Sequence, residues 1–90
     1  MQFEFDPQKS AVNKDKHGID FVEAQLLWHQ DSGLHVAARS LGERRFAYIA
    51  KMDGKLWCAF YTFRGDVVRL ISVRRARKME IQRYEDHNSR

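Results

Sequence analysis

The sequence predicts a single α+β domain: two short helices, then an antiparallel meander of three or four strands, then a third helix. Three observations lead there. Apolar residues alternate with a period of two from about residue 44 to residue 73, in runs separated by Met52-Asp53-Gly54 and Arg64-Gly65-Asp66. Two helix-start signals, Asp6-Pro7 and Asp20-x-x-Glu23, precede that region. After Arg74 the spacing becomes helical, with Ala76, Met79, Arg83 and Tyr84 in step. Ninety residues, 43% of them apolar, suffice for one hydrophobic core and are too few for two, so one domain over residues 1–90 is expected.

Taken in order, Gln2–Phe5 alternates around Phe3 and Phe5 and reads as a short strand. Asp6 can cap free amides, and Pro7 suits the first helical position because its nitrogen needs no partner. The first helix is expected from about Pro7 to Lys16 or His17. It should lie on the surface, held by a narrow stripe at Ala11 and Val12, and end at Gly18. In the next start signal Asp20 caps, Glu23 completes a capping box, and Ile19 and Ala24 take the staple positions. The second helix then runs from about Phe21 to His29, with Phe21, Ala24, Leu27 and Trp28 on a core-facing side.

Gln30-Asp31-Ser32-Gly33 closes that helix. Leu34–Arg39 reads as an edge strand with Leu34, Val36 and Ala38 on one side. Arg44–Lys51 places Phe46, Tyr48 and Ala50 on one face and Ala47 and Ile49 on the other. Lys55–Phe63 is apolar on both faces, as in a central covered strand, or in one with a face open for binding. Strict alternation along Val67–Val73 puts Val67, Arg69, Ile71 and Val73 together, opposite Val68, Leu70 and Ser72. The third helix is expected from about Arg75 to Glu85, followed by a frayed tail at 86–90.

Charge is distributed unevenly. Residues 1–63 carry eight basic and eight acidic side chains; residues 64–90 carry eight basic and four acidic, so the whole formal excess of +4 lies in the last third. That asymmetry suits a phosphate-bearing or acidic partner, although a charge of this size also serves solubility alone. The one cysteine, Cys58, excludes an intrachain disulfide, and its apolar neighbours mark an inert buried thiol. The first residues lack a basic stretch followed by an apolar run, and no apolar stretch is long enough to cross a bilayer. A cytoplasmic protein without a membrane partner is therefore expected.

No zinc spacing connects His17, His29, His35 and His87, and no phosphate loop or nucleophile elbow is present, so no metal and no cofactor are expected. What remains is an inventory for phosphate binding and proton transfer. Arg74, Arg75, Arg77 and Lys78 crowd a strand-to-helix junction, where guanidinium forks and free amides can hold phosphate. They can equally be a solvated face paired with Glu80, Glu85 and Asp86. Arg64 sits at a hairpin tip. Arg69 lies within a strand, where it needs a partner, a ligand or open water. Tyr84 is either a packed aromatic or a stacking or proton-transfer group, and Tyr61 has the same two readings. His17 ends the first helix, where the dipole favours a cation; it is either a general acid or base, or a cap for the last carbonyls. Cleavage of RNA without metal needs a base, cations around the phosphate and an acid, and Arg, Lys, His, Glu and Tyr can supply them.

Several runs together resemble the BrnT toxins of the wider RelE/ParE-like group. They are Phe3-Glu4-Phe5-Asp6-Pro7, leading through Lys9 and Asn13 to Lys16-His17-Gly18; Phe21-x-x-Ala24; Glu43-x-Arg45-Phe46; Tyr61-Thr62-Phe63-Arg64; Arg69-Leu70-Ile71-Ser72-Val73-Arg74-Arg75-Ala76; and Arg83-Tyr84-Glu85. The segment from Gln25 to Gly42 matches only loosely. The resemblance implies a RelE-like fold, a curved antiparallel sheet of about four strands with an N-terminal helical hairpin and a C-terminal helix. It implies a ribonuclease toxin that inhibits translation. Its partner would be a cognate, BrnA-like antitoxin with a ribbon-helix-helix domain, through which alone the pair would contact operator DNA and repress its own operon. His17, Arg64, Arg74, Glu80 and Tyr84 are the implied catalytic candidates; Lys16 and Arg69, with Arg75, Arg77 and Lys78 from the junction, are candidates for RNA or phosphate. A DNA-gyrase poison on the same fold, a non-catalytic toxin-like co-repressor and a plain basic RNA-binding module remain as alternatives.

Overall fold

The structure, a computed structural model, describes residues 1–89. Five strands form one mixed sheet in the order β1-β5-β4-β3-β2: β1 (Gln2–Glu4), β2 (Leu34–Ala38), β3 (Arg45–Met52), β4 (Lys55–Arg64) and β5 (Val67–Arg75). Helix α1 (Pro7–His17) follows β1, a 3-10 helix (Glu23–His29) precedes β2, and α2 (Lys78–Asn88) ends the described chain. The β2-to-β5 meander is antiparallel as expected. The sheet has five strands rather than about four because β1 adds to the far edge, parallel to β5, with Glu4 opposite Arg69. That pairing was illegible in the sequence: a three-residue strand has no pattern that names its neighbour.

Strand β4 lies at the centre of the sheet and is covered on both faces, which explains its unbroken apolar run. One face packs Tyr48, Ala50, Trp57, Ala59, Tyr61, Val68, Leu70 and Val73 against Ile19 and Phe21, which precede the 3-10 helix, and Ala24 and Leu27 within it. The other packs Ala47, Ile49 and Cys58 against Tyr84 of α2, with Leu34, Val36 and Ala38 at the margin. The alternation expected for β2 and β3 therefore holds. That expected for β5 does not. A bulge opposite Phe60 and Tyr61 inserts Ile71, since Ser72 pairs with Phe60 while Leu70 pairs with Tyr61. The phase flips there, so Val68, Leu70 and Val73 share one core while Arg74 turns to the other face.

Helix α1 is held by polar groups and not by Ala11 and Val12, which are exposed. Its buried positions are Ser10 and Asn13. Ser10 Oγ accepts from the Phe21 amide at 2.9 Å. Asn13 donates through Nδ2 to the carbonyls of Ile19 and Val73, each at 2.8 Å, and accepts from the Val73 amide at 3.1 Å. Its carboxamide thus takes the place of a neighbouring strand along β5 after β1 has ended.

The capping box at residue 20 forms as expected. Asp20 Oδ1 accepts from the Val22 and Glu23 amides, and Glu23 accepts from the Asp20 amide. The segment it starts is a 3-10 helix in place of the expected helix from about Phe21, and its Ala24 and Leu27 reach the core. The C-terminal helix begins later than expected, at Lys78, and continues through Asn88, so residues 86–88 are helical; the expected tail also includes Arg90, which lies outside the described residues.

Candidate active site around His17

Helix α1 lies along the edge of β5 that β1 leaves uncovered, and its C-terminal residue His17 stands between two clefts. The larger, about 430 Å³, is lined by Lys9, Asn13, Lys16 and His17 of α1, with Asp6 before it and Ile71 and Ser72 of β5 opposite. Lys9, Asn13 and Lys16 recur at helical spacing and so share one side of α1. The smaller, about 290 Å³, lies towards the β3–β4 hairpin, where His17 meets Glu23, Asp53, Lys55, Trp57 and Arg75. The Arg75 guanidinium lies 5.6 Å from the centre of the Trp57 ring. The Trp57 indole N–H is buried without a hydrogen-bond acceptor among the described residues.

The His17 imidazole is exposed and makes no side-chain hydrogen bond or ion pair among the described residues. It does not cap its helix. That work falls to Gly18, whose left-handed backbone (φ 79°) lets its amide donate to the Lys14 carbonyl at 2.9 Å. The reading of His17 as a helix cap is therefore set aside; the clefts it lines hold Lys9 and Lys16 on one side and Lys55 and Arg75 on the other. Lys14, which the larger cleft does not include, is occupied by Glu23 at 2.8 Å.

The remaining candidates do not gather here. Arg74 extends over the opposite face, 5.1 Å from the Phe60 ring centre, and is bound to Glu80 by two hydrogen bonds. Glu80 also accepts from the Arg77 amide at the start of α2. Those bonds, the Arg74 one first, hold its carboxyl below the usual range against the effect of burial. Arg69 is paired with Glu4 at 2.7 Å, the partner that its place in a strand demanded. Tyr84 is 8% exposed and packs in the core, its hydroxyl 3.3 Å from Ser32 Oγ, so its ring offers no free face for stacking. The Arg77 and Lys78 side chains are exposed at the start of α2. Arg64 pairs across from Val67, and Arg74 lies seven residues further along β5. At about 3.3 Å per residue that is roughly 23 Å, too far for one phosphate to bridge.

One cluster joins Tyr61, a candidate from the sequence, to His35, which had no sequence signal. His35 Nδ1 lies 2.7 Å from the Tyr61 hydroxyl, and its ring stacks on Tyr48 at 4.0 Å. Burial pushes the His35 imidazole below its ordinary value and the Tyr61 hydroxyl above its own. His35 pairs across from Tyr48, and Tyr61 lies on the diagonal, two residues beyond the Ala59 that pairs with Tyr48, so no linear spacing announces the cluster. Lys55 and Trp57 escaped notice for a similar reason, because they meet His17 only through the hairpin. Among the described residues, no group of three or more His, Cys, Asp or Glu is placed to hold a metal ion.

A family model described as the ribonuclease toxin BrnT of type II toxin–antitoxin systems matches residues 5–80. The chain belongs to this family. None of the curated proteins compared with it matches. Membership in a BrnT family of type II systems implies a cognate antitoxin. The BrnT-like signature residues Asp6, Lys9, Asn13, Lys16 and His17, far from Ile71 and Ser72 in the chain, line one and the same cleft. No helix of this BrnT family member, among the described residues, is long and apolar enough to cross a membrane.

Proposed function

We propose that this chain is a cytoplasmic, metal-independent endoribonuclease toxin whose reaction takes place at His17. A single observation carries the reading: an imidazole without a side-chain partner among the described residues stands on the rim shared by two clefts, one with Lys9 and Lys16, the other with Lys55 and Arg75. RNA lying across the end of α1 would place a phosphate beside these cations. His17 takes the proton from a ribose 2′-hydroxyl as its oxygen attacks the adjacent phosphorus. The bond from phosphorus to the 5′-oxygen breaks, that oxygen takes a proton from solvent, and a 2′,3′-cyclic phosphate remains. Lys16 and Arg75 stabilise the added negative charge in the transition state, which is electrostatic work that needs no metal.

In this reading residues 1–90 form a single RelE-like toxin domain. Its cognate antitoxin carries a ribbon-helix-helix domain, and the pair represses its own operon through the antitoxin's DNA contacts. The family description supports the toxin–antitoxin part; the clefts support the chemistry.

The test is incubation of the purified, antitoxin-free chain with a single-stranded RNA, with and without EDTA. Cleavage that persists in EDTA, leaves cyclic phosphate ends and falls at least a hundredfold in a folded His17→Ala variant is the expected result. Intact RNA in the presence of protein with an unchanged circular dichroism spectrum would overturn the enzymatic reading and leave a toxin-like partner without catalysis. Cleavage abolished by EDTA would overturn its metal-independent form.

A further inference from the structure

The end of the sheet remote from His17 carries an unassigned cleft of about 350 Å³, lined by Glu43, Arg44, Phe46, Thr62 and Phe63. Phe63 is 50% exposed, unusual for a phenylalanine in a sheet with two covered faces. It is not loosely placed. Its ring meets Phe46 at 5.7 Å and Tyr61 at 5.6 Å, both edge to face, so one side of a fixed aromatic plane is left to solvent. The Thr62 hydroxyl, on a residue only 3% exposed, donates to the Arg44 carbonyl and fixes the approach to β3.

Two cations lie near this cleft: Arg44 lines it, and Arg64, outside its lining, has its guanidinium 3.9 Å from the carboxylate of Glu43, which does line it. That separation is long for an ion pair, and both side chains are about half exposed, so Arg64 is weakly held. An exposed ring with Arg44 in the same cleft and a weakly held Arg64 beyond Glu43 suits a ligand with a flat apolar face and a neighbouring anion. The Glu43 carboxylate adds an acceptor for an amino group at the edge of such a ring.

We propose that this cleft is a subsite for one unpaired RNA base, stacked on Phe63, with the flanking phosphates held by Arg44 and Arg64. The subsite rests on the ribonuclease reading above and extends it. It lies at the other end of β5 from Arg75, so a bound strand would run along the sheet for several nucleotides between anchor and reaction centre. Stacking admits any base and requires it unpaired, so the substrate class is single-stranded RNA. Arg64, separated from His17 by the length of the sheet, thereby binds substrate without taking part in the bond-breaking step.

The test measures binding apart from cleavage. A fluorescein-labelled 12-nucleotide RNA, 2′-O-methylated throughout so that it cannot be cut, is titrated with the chain and followed by anisotropy, alongside the same sequence as a duplex. Phe63→Ala should weaken single-strand binding about tenfold, the usual worth of one stacked base, and leave duplex binding unchanged. Phe63→Tyr should restore it, which loss of fold would not. Arg64→Ala should also weaken binding and flatten its salt dependence. Wild-type single-strand affinity in a folded Phe63→Ala variant overturns the subsite. So does an equal loss for single strand and duplex, which would mark a general surface contact. Phe63-dependent binding by a chain that cuts no unmodified RNA would retain the subsite while the ribonuclease reading failed.

Discussion

Arg74 and Glu80 meet across the turn from β5 to α2 through two parallel hydrogen bonds of 2.7 and 2.8 Å. Their side chains are 19% and 21% exposed, and Glu80 also caps α2 through the Arg77 amide. The pair therefore fastens α2 to the sheet. Arg74→Ala should cost about 1.5–3 kcal/mol in urea unfolding, the usual scale for a charged hydrogen-bonded partner left alone, while RNA affinity changes less than in Arg75→Ala. A variant of unchanged stability that lost RNA binding would contradict this structural role.

The same pair gives a pH dependence. Glu80 is shifted down, chiefly by its hydrogen bonds to Arg74, so its contribution is complete above the ordinary carboxylate range and disappears as pH falls through its lowered value. Arg74 is shifted upward and remains charged throughout. Urea midpoints measured from pH 7 to pH 3 should fall more steeply for the wild type than for Glu80→Gln. Parallel curves would show that the pair does not couple to folding.

Asn13 is a buried polar side chain satisfied by three backbone groups, one at Ile19 in the loop after α1 and two at Val73 of β5. Asn13→Ala should destabilise by about 2–4 kcal/mol, because buried carbonyls and an amide lose their partners together. Asn13→Asp should be worse still at neutral pH, since it removes both donated bonds and sets a carboxylate against two carbonyl oxygens. Thermal unfolding of the two variants checks the order.

Gly33 lies against Tyr48, where a Cβ would overlap the Tyr48 ring and hydroxyl. Tyr48 is 2% exposed and stacked on His35, so it has little room to withdraw. Gly33→Ala should cost about 1–3 kcal/mol by overpacking. An unchanged melting temperature would mean that the ring yields.

Cys58 is fully buried beneath α2, and burial, followed by the nearby Glu80 charge, pushes its thiol up to about 12. Native protein at pH 8 should resist iodoacetamide, while urea-unfolded protein should react readily. Fast native alkylation would show that α2 detaches.

The sequence by itself determined the α+β class, the helix starts at Asp6 and Asp20, the two faces of β3 and the inert character of Cys58. Each rests on contacts between residues near in the chain or on a regular period. It also singled out His17 and the charged junction after β5, but could not tell free groups from paired ones. Tertiary structure decided that. It committed Arg74 to Glu80 and Arg69 to Glu4, packed Tyr84 away, and left His17 open between two clefts. The physical reason is that a charge is available only if no partner reaches it. Glu4, 65 residues from Arg69, reaches it only through strand order, and a single bulged residue at Ile71 reverses which face a side chain takes.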